Sequence, residues 1–337
     1  LFTTDFVREF ADIAWGRGKS KVVIEAALDL GTVSAGKQKE EICELELELR
    51  EGEPEALLEL AAELAASLPL FPCDISKAER GYRLLDPASY QVSLPAPELD
   101  PEMSLDDAFS AIAWHLLASS QRLAEQYQHT GHWRLLQDWV QCLGELRAMA
   151  SSLGQAAPRA TTRELRSRLD ALLEDWRTLV LAGNDDEDVR RAAPEQFADE
   201  LLDNRWGQFS LDTSRWLLAR GWTAERNKRG ERQGAAALAN WLSVELGDEA
   251  KALQLPLYQQ QPEDLAEQLP RIERLLAWLH YARSVLLEAP ELDRLYGELS
   301  KLQQLANQPI SDEILDARVQ QAFAVAQSRG WKHLVRK

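Results

Sequence analysis

Glu44, Glu46 and Glu48 alternate with Leu45, Leu47 and Leu49 in the stretch EICELELELREG, residues 41 to 52. In a β-strand that alternation sends the leucines to one face and the carboxylates to the other. Same-face residues of a strand lie roughly 6–7 Å apart. A row of like charges at that spacing repels itself unless something positive lies between its members. One remedy is a divalent cation on oxygen ligands; another is Lys and Arg from neighbouring strands. The two together describe a site for a phosphate chain, in which cationic side chains grip the phosphates and carboxylates hold Mg²⁺ or Mn²⁺ and position a water. A strand with one face in water shows the same alternation. Glu48, near the strand end, is the first of the three expected to be merely solvated.

The elements that position this row occupy the first ninety or so residues. TTDFVREF reads as extended, with Arg8 in it. KVVIEAALDLG is β-branched at its front and ends on Gly31; Ile24, Ala26 and Leu28 share one face, and Glu25, Ala27 and Asp29 the other. GTVSAGKQKE, with two glycines, reads as the hairpin connection to the glutamate strand. A helix is predicted after Pro54, which a first turn tolerates, with Leu57, Leu58, Leu60, Ala61 and Leu64 as its apolar stripe. ISKAERGYRLL follows, with Ser76 as its N-cap. Lys77 and Arg80 at i, i+3 are there ordinary helix-surface charges by spacing alone.

Residues 86 to 102, DPASYQVSLPAPELDPE, hold four prolines and read as an extended linker. Residues 103 to 337 read as all-α, in stacked antiparallel bundles. Ser104 caps the first helix, with Asp106 and Asp107 in its first turn. Segments 131–154, 161–183, 195–221, 234–253, 263–287, 291–307 and 311–331 carry further helical stripes. The chain therefore divides into 1–85, a linker 86–102, and 103–337, and its class is α+β.

The 337 residues carry a net charge of -17, which opposes nonspecific binding to nucleic acid and to anionic membrane. No apolar run reaches the roughly 18 residues of a membrane span, and no signal peptide is visible. Three scattered cysteines, Cys43, Cys73 and Cys142, show no CxxC spacing and fit a reducing cytosol. Gly-rich nucleotide loops, HExxH and GxSxG are absent from the sequence. Trp114, Trp139, Trp176 and Trp241 fall on apolar helix faces and read as core.

TDFVRE, IEAALDLG, ICELELELREG and ISKAERGY together resemble the C-terminal half of a CYTH domain, an antiparallel β tunnel that binds triphosphates. The helical region resembles a CHAD domain, and the pair resembles the bacterial CYTH–CHAD inorganic triphosphatases. The resemblance implies a cytoplasmic, metal-dependent hydrolase of inorganic triphosphate using Mg²⁺ or Mn²⁺. It implies Arg8, Lys77 and Arg80 as phosphate-binding residues, and Glu44, Glu46 and Lys77 as the catalytic set. It implies Asp29, Glu25, Glu44, Glu46 and Glu48 as metal ligands. The family's opening ExExK motif and RxR strand do not occur in the chain. The expectation is therefore half a tunnel, with the activity belonging to a longer parent and little turnover by residues 1–337 alone. A triphosphate- or polyphosphate-binding module without turnover is the alternative.

CHAD domains bind polyphosphate through basic helix faces, and the resemblance extends that possibility to the helical region here. Its histidines are His115, His129, His132, His280 and His333. His132 stands near the place where the resembled family has a histidine followed by a string of arginines; here that string is mostly Leu, Gln, Asp and Trp, and Arg134 and Arg147 remain. His280, among apolar residues, reads as a hydrogen-bonded packing histidine. Two basic clusters survive: Arg159, Arg163, Arg166 and Arg168, and Arg220, Arg226, Lys228, Arg229 and Arg232. Both read first as solvated surface, which makes a scaffold or docking region the expectation for the helices.

Overall fold

The period-2 pattern folds as expected, into three long antiparallel strands in the order β1-β2-β3. They are β1 (Thr3–Trp15), β2 (Val22–Ala35) and β3 (Gln38–Glu51). The computed structural model describes residues 1–16, 21–88, 90–255, 261–282, 285–286 and 289–336, without the side chains of 201, 202 and 289. Ser89 of the expected linker, and Arg283, Ser284 and Leu287 of the expected helix 263–287, lie outside the described residues.

The β2–β3 connection is much shorter than the ten residues expected. Only Gly36 and Lys37 separate the strands, and Gly36 takes the turn at φ +60°. Thr32, Val33 and Lys39 belong to the ladder, the first two being β-branched as strands favour. Gly31 likewise lies inside β2. A Cβ there would fall 2.2 Å from the Asp5 carbonyl oxygen and 2.4 Å from Phe6 Cα, so glycine permits the close approach of β1.

Each face of the sheet receives a helix. α1 (Glu55–Ala65) covers one end of the leucine face, where Ala56 and Leu60 pack on Val22 and Ile24, with Trp15, Leu47 and Leu49 around them. α2 (Lys77–Leu85) covers the carboxylate face, where Leu84 packs on Val33, Ala35 and Ile42 beside Phe2. Pro54 stands at the head of α1 without a capping bond, and Ser76 caps α2. Residues 90–100 form no regular element.

The remaining elements are helices. They run α3 (Leu105–Thr130), α4 (Trp133–Ser152), α5 (Arg163–Gly183), α6 (Glu187–Leu202), α7 (Arg205–Leu218), α8 (Lys228–Gly234) and α9 (Leu238–Leu253). They continue with α10 (Leu269–Ala282), α11 (Ala289–Ala306), α12 (Asp312–Gln327) and α13 (Arg329–Arg336). The helical segment read over 195–221 is divided between α6 and α7, separated at Asp203–Asn204.

Contacts divide the chain into two compact units. The first comprises Leu1–Leu94, Leu117–Cys142 and Leu172–Arg220. Its helical core is aromatic: Trp139 meets Trp176, Phe197 and Trp206 at centroid distances of 5.9, 5.3 and 5.4 Å. The second comprises Pro95–Leu116, Leu143–Ala171 and Gly221–Lys337. There buried Trp278 donates to Ser152 Oγ at 2.7 Å, and Trp222 donates to Asp106 Oδ1 at 2.9 Å. In the same unit the buried Arg318 guanidinium donates to the carbonyls of Pro262, Leu305, Ala306 and Gln308. It thereby closes the orphan end of α11.

Candidate functional site

The strand register decides which carboxylates meet. Arg8 stands opposite Asp29, Asp29 opposite Glu44, and Ala27 opposite Glu46. Because these positions share one face of the pleat, Asp29, Glu44 and Glu46 converge, with one oxygen from each lying within 4.8 Å of the others. Asp29 is fully buried, and α2 closes over the group.

Three cations answer the three carboxylates. Arg8 donates from Nε and Nη2 to the two oxygens of Asp29, both at 2.7 Å, and from Nη2 to Glu46 Oε2 at 2.6 Å. Lys77 Nζ lies 2.8 Å from Asp29 Oδ2, 2.6 Å from Glu44 Oε2 and 2.6 Å from Glu46 Oε1. Arg80, 7% exposed, pairs with Glu44 and reaches Glu40 Oε1 at 3.3 Å. Phe6 flanks them, its ring centroid 5.3 Å from Lys77 Nζ. The spacing of Lys77 and Arg80, ordinary for a helix surface, here serves a helix face turned to the sheet.

The pairing leaves its mark on ionisation. The Arg8 hydrogen bonds outweigh the cost of burial and, with Lys77, pull Asp29 down to about 2. The Arg8 guanidinium is held above its ordinary value, first by its bond to Asp29. Burial works against the Lys77 ammonium, but its bonds to Asp29 and Glu46 prevail and raise it. A cation in the first turn of a helix is disfavoured by the macrodipole. Lys77 occupies that turn because three carboxylates face it.

Glu25 and Glu48 stand apart from this group. They are opposite each other in the register. Glu25 lies four residues from Asp29 along β2, roughly 13 Å away at strand rise. Both pair with Arg50, at 2.5 and 3.1 Å. Glu48 is 63% exposed, as its place near the strand end led us to expect. Of the five acidic residues expected as metal ligands, the structure gathers Asp29, Glu44 and Glu46.

Sequence reasoning missed Arg50, Arg83 and Glu40. Arg83, one turn beyond Arg80, donates to both oxygens of Glu40 at 2.8 Å and to Gln126 Oε1 at 2.8 Å. The i, i+3, i+6 series of cations on α2 was the signal available for it. Beside β3 lies an open cleft of about 1300 Å³, lined by Glu44, Glu46, Lys77 and Arg80 and, on its apolar side, by Leu68 and Phe71.

Three hard oxygen donors on rigid strands suit Mg²⁺ or Mn²⁺ better than softer metals. Lys77 Nζ already stands among them, so a divalent cation at these oxygens has to displace an ammonium. Equally, the same three cations are the ones available to a polyanion. The arrangement is a balanced set of opposite charges that an added cation and an added anion can each redistribute.

Elsewhere several of the basic side chains are engaged with protein. Arg226, partly buried, donates to Asp106 and the Ala156 carbonyl. Arg168 pairs with Glu164 at 2.8 Å, Arg147 with Asp170 at 2.7 Å, and Arg134 with Asp138 at 2.9 Å. Arg166 bonds Thr162 Oγ1 and the Arg159 carbonyl, and burial together with Arg147, Arg159 and Arg163 lowers its pKa. His280 Nδ1 lies 3.0 Å from Glu145 Oε1 and its ring stacks on Tyr281, as befits a packing histidine. Trp139, Trp176 and Trp241 are buried and Trp114 is half-buried.

The fold is thus of the α+β class, with its carboxylates and cations gathered where sheet and α2 meet. No family model matches the chain. The chain is similar to a protein of Haemophilus influenzae named inorganic triphosphatase, at 34% identity over 84 residues. The match covers 25% of this chain and 23% of that protein. Among the described residues no helix is long and apolar enough to cross a membrane.

Proposed function

We propose that this chain carries part of a metal-dependent triphosphatase site, with inorganic triphosphate as the substrate. The observation that carries the reading is the convergence of Asp29, Glu44 and Glu46 on one side and Arg8, Lys77 and Arg80 on the other. The similarity to a protein named inorganic triphosphatase supports it. So does the resemblance of these same motifs to the C-terminal half of a CYTH tunnel, in which the three strands would form one wall. We read the helices as a CHAD-like region with a scaffold role. Three scattered cysteines without CxxC spacing fit a cytosolic setting.

In this reading Asp29, Glu44 and Glu46 hold Mg²⁺ or Mn²⁺, which when bound supplies charge neutralisation of the phosphates and a water of lowered pKa. Arg8, Lys77 and Arg80 leave their carboxylates and bind phosphate oxygens. Arg8 suits that exchange because its planar fork fits carboxylate and phosphate alike. Lys77 supplies a compact charge at the terminal phosphate. Glu25 and Glu48, held by Arg50, take no part as ligands. With three of the five expected ligands gathered, slow turnover by residues 1–337 is the outcome we expect.

Titrating the chain with tripolyphosphate, with and without Mg²⁺, tests this alongside an assay of released phosphate. We expect metal-dependent binding, weakened but still measurable on Arg8→Met or Lys77→Met, with slow phosphate release abolished by Glu44→Gln. Binding without any release points to the non-catalytic module. Absence of binding, or binding indifferent to both cation substitutions, overturns the reading.

A further inference from the structure

α3 is remote in sequence from Lys77, yet one face of it holds the segment that carries that lysine. Arg122, Glu125, Gln126 and His129 recur at i, i+3, i+4 and i+7, the spacing of a single helix face. Glu125, 7% exposed, accepts from the Ile75 amide at 3.2 Å and from Cys73 Sγ at 3.3 Å. Arg122, also 7% exposed, donates to the Asp74 carbonyl at 3.3 Å, the Val92 carbonyl at 3.1 Å and Glu79 Oε1 at 2.8 Å.

Glu79 joins these contacts to the site. Its Oε2 accepts from the Ser76 amide at 3.2 Å, while Ser76 Oγ accepts from the Glu79 amide at 3.2 Å. That is a closed capping box, and Lys77 is the next residue after the cap. One carboxylate therefore sets the first turn of α2 through one oxygen and is anchored to α3 through the other. A site holds its geometry only when the residues behind it are themselves fixed. The Lys77 ammonium has to meet three carboxylates across less than 3 Å each, so a small rotation of that turn breaks the convergence.

We infer that Arg122 is a positioning residue, acting through Glu79 and the Ser76 cap to aim Lys77 at Asp29, Glu44 and Glu46 and at the anion proposed for them. It touches neither the anion nor the carboxylates of the site. The inference rests on the function proposed above for what Lys77 binds, but not for how Lys77 is held.

Two measurements on the full chain separate those parts. Without ligand, amide hydrogen exchange in residues 76–83 should accelerate about tenfold or more in Arg122→Ala, while residues 24–33 and 42–47 keep their protection. With Mg²⁺ present, tripolyphosphate affinity should fall about tenfold in Arg122→Ala, yet less than about twofold when Lys77→Met is already in place, because residues acting as one unit are non-additive. A merely structural loss would multiply in the double variant. Should Arg122→Ala fail to fold, Glu79→Gln replaces it, since Gln at that position still closes a capping box while surrendering the charge that Arg122 holds. Unchanged exchange over 76–83, or multiplying affinity losses, overturns the positioning role. If the unsubstituted chain binds no tripolyphosphate while exchange responds as expected, the positioning role stands and the proposed function falls.

Discussion

Arg8 and Asp29 stand directly opposite in the β1–β2 register and are joined by two hydrogen bonds of 2.7 Å. Their pairing buries a carboxylate completely and keeps it ionised. A buried charge that loses a partner is destabilising. The pair therefore ties the geometry of the site to the stability of the sheet.

Acid should expose that tie. The folded chain holds Asp29 at about 2 against an ordinary 3.8, so the unfolded chain binds the proton first as pH falls. The stability this contributes is fully present above the ordinary value and disappears as pH drops through about 2. Denaturation midpoints measured down this range should decline more gently in Asp29→Asn than in the natural chain. Equal slopes would show that the carboxylate is not the titrating group.

Lys77 should compete with divalent cations. Its ammonium occupies the space among the three carboxylate oxygens, and a like charge there opposes a metal ion. Lys77→Gln is expected to tighten Mn²⁺ binding on the order of tenfold, a difference of ~1.4 kcal/mol. Electron paramagnetic resonance titration measures it directly. Unchanged or weaker Mn²⁺ binding would mean that the cation sits elsewhere.

Cys73 should be a slow nucleophile despite its exposed position. Its Sγ turns inward, and burial, reinforced by Glu125, pushes the thiol up to about 12. Alkylation needs the thiolate, so iodoacetamide near neutral pH should modify exposed Cys43 first. Glu125→Gln should narrow the gap. Mass spectrometry of the labelled peptides decides, and equal rates in the natural chain would contradict the inward thiol.

In the second unit, Glu245 on α9 should give a loss of stability as pH rises toward neutrality. Burial, with Glu249 and Asp248 adding to it, raises its carboxyl to about 7 from an ordinary 4.5. Between those values the folded chain retains a proton that the unfolded chain has released, so stability falls as pH rises from 4.5 to about 7 and then levels. Glu245→Gln should remove that slope from urea midpoints. A slope that survives the substitution assigns the titration to another group.

Much of this was written in the alternation of the first ninety residues. Period 2 separated Ile24, Ala26 and Leu28 from Glu25, Ala27 and Asp29, and the sheet keeps that division. Alternation assigns a face but no register, so it could not tell that Asp29 meets Glu44 while Glu25 meets Glu48. The resemblance to known tunnels supplied Arg8, Lys77 and Arg80; spacing alone left Lys77 and Arg80 as surface charges. Gly31 misled because a glycine ends a strand as readily as it admits a close neighbour. Arg122 was illegible because its partners lie 30 to 48 positions away, beyond the reach of any local pattern.

The two-residue turn at Gly36–Lys37 has a consequence for the order in which the molecule is built. A hairpin with so short a connection closes in about 1–10 μs, bringing Asp29, Glu44 and Glu46 together almost at once. Lys77, which lies 31 positions beyond Glu46, arrives only after a longer loop has closed. Between those events the nascent site is a knot of negative charge without its lysine. Mg²⁺ in a refolding buffer should relieve that interval and hasten folding, acting as a temporary counter-ion before the chain provides its own.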